Sequence, residues 1–478
     1  MDFFQFFFVS LRRPSCVFVD HSFFRLFQAR QTAETEVKSS SPGAIVSVKV
    51  PGRIRANFPA GGSGSNGRSG MESQAISKQE FQSRYHRVQQ FLEERQLGAL
   101  LAYSPAREHK WGQTGHVSYL SGWANDDRIV ETVVVVPRRG DPVMLAAGMQ
   151  FMFEQAAEVS PIEDMRLVEA VDPNAVAGHR GGTGDQGPRD FSGQTLAVLE
   201  ENGLGGEAVG VVGVSTMPAP FYEGLALGLG DRLHRVDDVV SRLRAVKSEA
   251  ELQLMRRAAE LSDMGFQTML EVARPGIPGI EIVAEMERVA RREGADHAKY
   301  WMASGPPPDW NDTRLDIKPH ERILQYGDLM ASCSYIVYQG YWCHGHRTGT
   351  LGKPCDALTR LCRVTREAHD RAQEILKPGT PVADLGRTIR EHVEPHGLEL
   401  LGGRIGHGIG MDYSEQPVPF DDSNPAPMQA GMTAVMHAVF GLPGTGKMFV
   451  PLGDVFHLTE DGPELLMGFP RTPFVAGA

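Results

Sequence analysis

From Lys78 to Gln96 apolar and polar residues recur with the spacing of an amphipathic helix, and the run Leu97–Tyr103 predicts a short buried strand. Three further apolar segments follow: Val117–Gly122, the valine-rich stretch ending at Pro137, and the one opening at Pro142. A glycine-rich loop at His179–Gly187 interrupts the pattern, and Leu196–Leu199 and Val209–Val214 predict more strands. Strands alternating with helical segments to about residue 235 indicate an α/β domain. Val236–Ser248 then leads into a long amphipathic helix from Glu249 to about Val272, with Leu252, Met255, Ala259 and Phe266 largely on one face. Further helices are predicted over about Glu281–Glu293, over about Ala357–Leu376 and from near Val382. Strand-like segments fill 298–352, and short strands with Gly and Pro turns fill Leu398–Leu466. Helices segregated from antiparallel strands indicate an α+β second domain. The expected organisation is a segment 1–70, an α/β domain 71–238 and a larger domain 239–478.

Residues 1–70 differ from the rest. An aromatic stretch from Phe3 to Phe8 is followed by Arg12, Arg13 and Arg25, and the Gly/Ser-rich run Gly61–Gly70 ends the segment. Such a composition buries no core of its own. It reads as a transit-like leader, a disordered arm or, the reading favoured here, translated sequence upstream of a start at Met71. The full chain of 478 residues carries 48 Lys+Arg against 59 Asp+Glu, a net charge of −11. An acidic chain without a basic block argues against nucleic acid as a partner. Five cysteines without a CxxC pair fit a reducing, cytoplasmic compartment, and no run reaches the roughly 18 apolar residues that span a bilayer, so no membrane is expected. No GxGxxG opens a helix, so dinucleotide binding is not indicated. The compositional oddity is the 16 histidines.

Eight short motifs occur in order: YLSG at Tyr119–Gly122, LRAVKSEAEL at Leu243–Leu252, Gly327-Asp328, GYWCHGHRTG at Gly340–Gly349, LKPGT at Leu376–Thr380, GHGIG at Gly406–Gly410, AGMTAV at Ala430–Val435 and LTEDGPELL at Leu458–Leu466. Through them the chain, from roughly Lys78 to Phe469, resembles the methionine aminopeptidase, creatinase and prolidase superfamily with its pita-bread fold. The resemblance implies an α+β architecture: a C-terminal pita-bread domain preceded by a smaller α/β creatinase-type domain. It also implies a homodimer with the N-terminal domain of one subunit near its neighbour's pocket.

Metal-dependent members of that superfamily hold two divalent ions with two Asp, one His and two Glu. Carried through the landmarks, those places fall on Cys333, His344, His407, His437 and Gly453. Random decay would scatter Ala, Ser, Val and Thr; here three carboxylate places hold Cys or His, both of them metal-ligating types. The expectation is one divalent transition metal (Zn, Fe, Mn or Ni) on His344, His407 and His437, with Cys333 as a fourth ligand or a nearby thiol. Three imidazoles and an open position form a known catalytic zinc arrangement. A metal-free site, as in creatinase, is the competing reading.

Other candidates surround this set. His346, two residues after His344, shares its strand face and is a ligand, a proton shuttle or a buried polar residue. The histidine expected seven residues after His407 is replaced by Ser414, and the upstream peptidase histidine by Leu315. Asp312, in an acid- and amide-rich loop, and Glu415 are candidate acid/base groups. Tyr413 and Ser414 are candidate pocket residues, and Trp123 and Arg128 are candidates to reach a substrate from the N-terminal domain. The loss of both peptidase histidines and of the carboxylate ligands points to a non-peptidase enzyme, a hydrolase or lyase that cleaves a C–N or related bond in a small polar metabolite or xenobiotic. The alternatives are metal-free hydrolysis, Fe(II) oxygen chemistry, Xaa-Pro-type aminopeptidase activity and a non-catalytic scaffold.

Overall fold

Helix α1 (Lys78–Arg95) starts where Ser77 accepts the Glu80 N–H on its side chain, and stops at Gln96, which turns left-handed (φ 55°). The structure, a computed structural model, describes residues 76–105, 115–123, 131–147, 150–168, 191–306, 321–443 and 447–477. All of them lie in one compact unit, Gly70–Ala478. After α1 come β1 (Ala99–Ser104), α2 (Gly115–Ser121), β2 (Thr132–Pro137), β3 (Val143–Ala147), α3 (Gln150–Val159), β4 (Asp164–Val168), α4 (Phe191–Glu201), β5 (Val209–Val212), α5 (Ala219–Leu229) and β6 (Leu233–Arg235). The six strands form one mixed sheet in the order β4-β3-β2-β1-β5-β6. Both faces of this sheet are covered, which explains why its strands read as unbroken apolar runs. Leu100 and Ala102 of β1 join one core with Val88, Leu92 and Trp123, while Ala99, Leu101 and Tyr103 join another with Phe191, Leu199 and Phe221.

Two expectations in this region are corrected. Leu196–Leu199 lies inside helix α4, and most of Val117–Gly122 lies in helix α2. All seven residues of α2 are buried, so the amphipathic period that marks a surface helix is missing, and four apolar residues alone do not distinguish strand from helix.

Helix α6 (Asp237–Ala245) leads to α7 (Glu249–Val272), which opens on a capping box: Ser248 and Glu251 each bond the other's backbone N–H. Glu251 is also a tie point, because its carboxylate accepts the Tyr341 hydroxyl at 3.0 Å and lies 3.6 Å from buried Arg84 of α1. Helix α8 (Gly279–Arg292) and the antiparallel strands β7 (His297–Gly305), β8 (Leu329–Tyr338) and β9 (Tyr341–Leu351) follow. Helices α9 (Asp356–Ile375) and α10 (Val382–Val393) precede β10 (Glu399–Leu400), β11 (Gly406–Gly408), β12 (Thr433–Met436), β13 (Phe440–Leu442), β14 (Lys447–Phe449), β15 (Leu452–Thr459), β16 (Gly462–Leu465) and β17 (Phe474–Ala476). The large sheet runs β11-β12-β15-β9-β8-β7, with β16 added to β15 and β17 to β9. Helices α7 and α8 pack on it through Met255, Phe266, Met269 and Ile282, and α9 and α10 through Ala368, Leu385 and Ile389. Among the described residues no helix is long and apolar enough to cross a membrane.

A buried ion cluster ties the junction to the GHGIG loop. The Arg244 guanidinium donates to Asp412 Oδ2 at 2.8 Å and to Glu415, and lies 3.2 Å from His116 Nδ1. Lys247 Nζ donates to Glu415 Oε2 at 2.7 Å, and the Gly115 N–H to Asp412 Oδ1 at 2.9 Å. Burial disfavours the Glu415 charge, yet Arg244 and Lys247 outweigh it and bring its pKa down to about 2. Breaking one partner of such a cluster strands the others without compensation. Glu415→Ala is therefore expected to lower the unfolding free energy at pH 7 by about 3–5 kcal/mol, read by urea denaturation; a loss within experimental error would show that the two cations are solvated.

Candidate metal centre

The strand order brings distant histidines to one face. His344 and His346 are two apart on β9 and so share a side of the sheet. His407 lies on β11, opposite Val435 of β12, and His437 directly follows β12, where its N–H donates to the Ile405 carbonyl at 2.9 Å. Gly453 of β15 lies between them, in register with His346. Ligand atoms of His344, His346 and His437 all fall within 4.8 Å of one another, and among the described residues this is the group so arranged to hold a metal ion. His407 stands beside it, its ring 5.8 Å from that of His344 and 5.1 Å from that of His437.

All four imidazoles are buried. Burial, reinforced by neighbouring imidazoles, pushes the His344 and His437 pKa values well below the ordinary histidine range. His346 falls to about 3 through burial and the Arg347 charge, and His407 to about 4, mainly through burial. Each is thus neutral at physiological pH, the form in which imidazole ligates. His344 Nδ1–H donates to the Ser334 carbonyl at 2.7 Å, so its Nε2 accepts the His346 Nε2–H at 2.9 Å and His346 turns Nδ1 away from that bond. His407 likewise uses Nδ1–H on the Gly408 carbonyl at 2.9 Å. His407 Nε2, His346 Nδ1 and both nitrogens of His437 have no hydrogen-bond partner. Leaving a buried polar group unpaired costs about 1–3 kcal/mol, and convergent neutral imidazole nitrogens of this kind could hold a cation. Two imidazoles about 2.0–2.1 Å from one tetrahedral zinc ion would have nitrogens roughly 3.3 Å apart, close to the separation of His344 and His346. The donors fit one borderline transition ion; the carboxylate set for a pair of hard ions is missing.

The sequence-derived candidates divide accordingly. His344 and His437 lie in the convergent group, and His407 flanks it. His346, considered as an acid/base group, is placed among the ligand candidates. Cys333 stands opposite His346 in register but is not in the group: its sulfur is engaged by the Tyr335 hydroxyl and the Trp301 backbone, and burial pushes the thiol up to about 12. Of its two expected roles, fourth ligand or nearby thiol, this position beside the group matches the nearby thiol. Tyr413 borders the cluster, its half-buried ring 4.4 Å from that of His407 and 5.1 Å from that of His344. Ser414 is exposed and lines a small cavity with His116, Arg244 and Glu415 rather than the imidazoles. The Glu415 carboxylate is taken up by the junction cations, which leaves no oxygen free to act as a base. Trp123 is buried at 1% exposure in an apolar core with Val88 and Leu92, apart from the imidazole group. Arg128 and Asp312 lie outside the described residues. What residue reading missed is the significance of Gly453, whose signal was its place at a former ligand position.

Known proteins share parts of this sequence and its fold. Residues 253–460 match the model of metallopeptidase family M24. An uncharacterized peptidase, YqhT, of Bacillus subtilis is 28% identical over 243 residues, covering 49% of this chain and 66% of that protein. A Xaa-Pro dipeptidase of Pyrococcus horikoshii is 25% identical over 262 residues, covering 53% and 71%. The match thus spans about two thirds of the length of these curated relatives. In fold, the chain is similar to an X-Pro aminopeptidase from Thermotoga maritima (TM-score 0.66, 21% identity, 82% of this chain and 99% of that one). It is also similar to dipeptidase PepE from Mycobacterium ulcerans (TM-score 0.64, 22% identity, 84% and 99%). Residues 253–460 are thus similar to family M24, and the chain shares the fold of these solved structures.

The depressed histidines predict a pH dependence for the ion-free protein. An unfolded histidine titrates near ~6.5, whereas His407 and His346 titrate at about 4 and about 3 in the fold. Below about pH 6.5 the unfolded state takes up more protons, so stability is complete above that pH and falls progressively toward pH 4, by up to about 1.4 kcal/mol per pH unit for each histidine. Thermal unfolding of chelator-treated protein between pH 7.5 and 4.5 should show a steadily falling midpoint. A flat profile would contradict the neutral buried cluster.

Proposed function

We propose that this protein is a metal-dependent hydrolase that cleaves a C–N bond in a small polar substrate, using one transition ion held among His344, His346, His437 and the adjacent His407. The observation that carries the reading is the convergence of buried, neutral imidazoles, with His407 Nε2, His346 Nδ1 and both His437 nitrogens lacking a hydrogen-bond partner. An ion bound there would supply Lewis-acid chemistry, polarising a carbonyl or raising the acidity of water. The chain's own residues do the rest. Ser334 and Gly408 carbonyls fix the tautomers of His344 and His407 through Nδ1–H, and so aim both Nε2 atoms into the site. Tyr413 stands over His344 and His407, and its phenol, hydrogen-bonded to Tyr335, is held protonated by burial. That ring offers a flat surface and a hydroxyl donor to a substrate. Glu415 and Arg244 hold the Tyr413 turn in place and take no part in proton transfer.

A second reading, hydrolysis of Xaa-Pro peptides, is favoured by the M24 match and by relatives whose names include Xaa-Pro dipeptidase. Relatives named as peptidases or hydrolases give no support to the lyase alternative. The homodimer implied by the sequence resemblance belongs to this proposal and is read by light scattering.

The test combines metal analysis with an assay. Purified protein should carry about one equivalent of transition metal; chelation should abolish hydrolysis of a panel of small amides and Xaa-Pro dipeptides, and zinc or cobalt should restore it. His437→Ala should lower activity by roughly 100-fold or more. Turnover confined to Xaa-Pro dipeptides would select the second reading, and full activity in metal-free protein would sink both.

A further inference from the structure

We infer that Gly453 is the residue that admits His346 to the metal centre, and that the resulting all-imidazole donor set selects zinc, copper, nickel or iron(II) over magnesium, calcium or manganese. The inference rests on the proposed metal-binding role of the cluster and deepens it.

Gly453 and His346 are direct partners across the antiparallel pair β15–β9. A Cβ on Gly453 would fall 2.8 Å from His346 Cδ2, 2.9 Å from His437 Cβ and 3.1 Å from the His346 backbone nitrogen. The space a side chain would fill is therefore occupied by the stems and rings of two candidate ligands. Gly453 is not among the glycines with positive φ, so the backbone does not demand glycine; the room above it does. In that room the His346 and His437 rings stack at 5.2 Å and 29°, and His346 meets His344 edge-on at 4.6 Å.

The strand pair cannot open to relieve a clash. Arg347 donates to the His346 carbonyl at 2.8 Å, to the Gly453 carbonyl at 2.7 Å and to Asp454 Oδ1 at 2.7 Å. Asp454, the nearest carboxylate in sequence, is held by Arg347 and Arg471 and supplies no ligand. Among the described residues the donors left to an ion are imidazole nitrogens, which suit borderline transition metals; hard cations favour carboxylate and carbonyl oxygen.

The test is Co(II) titration of the chelator-stripped full chain, followed by visible absorption, for wild type, His346→Ala, Gly453→Ala and the double variant. Each single variant should weaken Co(II) binding by about tenfold or more. The double variant should lose less than the sum of the two single losses, because the added Cβ acts largely through the ring that His346→Ala removes. Mg(II) or Mn(II) in ~100-fold excess should not compete. Wild-type affinity in both single variants, strictly additive losses, or displacement by Mg(II) or Mn(II) would overturn the inference while leaving a metal site in place. Wild-type protein that takes up no transition ion would overturn the parent reading as well. If Gly453→Ala fails to fold by circular dichroism, His346→Ala, which only removes atoms, decides the matter.

Discussion

Four imidazoles packed together out of water can hold no proton charge, because desolvation and mutual repulsion both oppose it. Neutrality then creates a second constraint, since each ring carries one N–H and one lone pair. The protein supplies two carbonyl acceptors, Ser334 and Gly408, for His344 and His407, and His344 Nε2 faces His346 Nε2. His437 has no partner on either nitrogen. Lone pairs aimed inward at a dry centre are satisfied by a cation better than by anything the chain itself offers. The tautomers of His344 and His407 follow from that one requirement.

Two polar assemblies behind the site keep the imidazoles where they are. Arg347 locks β9 to β15 and so fixes His346 over Gly453. On the far side His369 of α9 donates Nδ1–H to the Thr365 carbonyl at 2.8 Å and accepts the Ala438 N–H at 3.3 Å, pinning the chain just after His437. At the junction, Arg244 and Lys247 neutralise Asp412 and Glu415, and the turn they hold presents Tyr413 to His344 and His407. The cluster costs desolvation, which only complete pairing offsets. That accounts for carboxylates near the site serving structure rather than chemistry.

Much of this was legible in the residues. The long helix Glu249–Val272 follows from its apolar stripe, and the later strands from short apolar runs between Gly and Pro turns. Elements buried on every side were harder: α2, and the apolar run Leu196–Leu199 within α4, carry too few residues for a period to show. In the site, His344, His407 and His437 were reached by spacing from motif landmarks. His346 was visible only as a second histidine on the same strand face, and its role stayed open because the group that gives it room, Gly453, lies far along the chain. Cys333 and Trp123 stand out by position in the sequence; in the fold Cys333 lies beside the imidazole group and Trp123 in an apolar core.

By itself, the sequence determined the chemistry available: neutral-capable nitrogen donors in place of carboxylates, and a glycine where a side chain would otherwise stand. Those are properties of residue type and order, set before folding. Only the tertiary structure decided which nitrogens meet, because convergence depends on the strand order β11-β12-β15-β9 and on the space above one glycine. Ligation requires atoms within a few ångströms of a common point, and that distance is a product of packing.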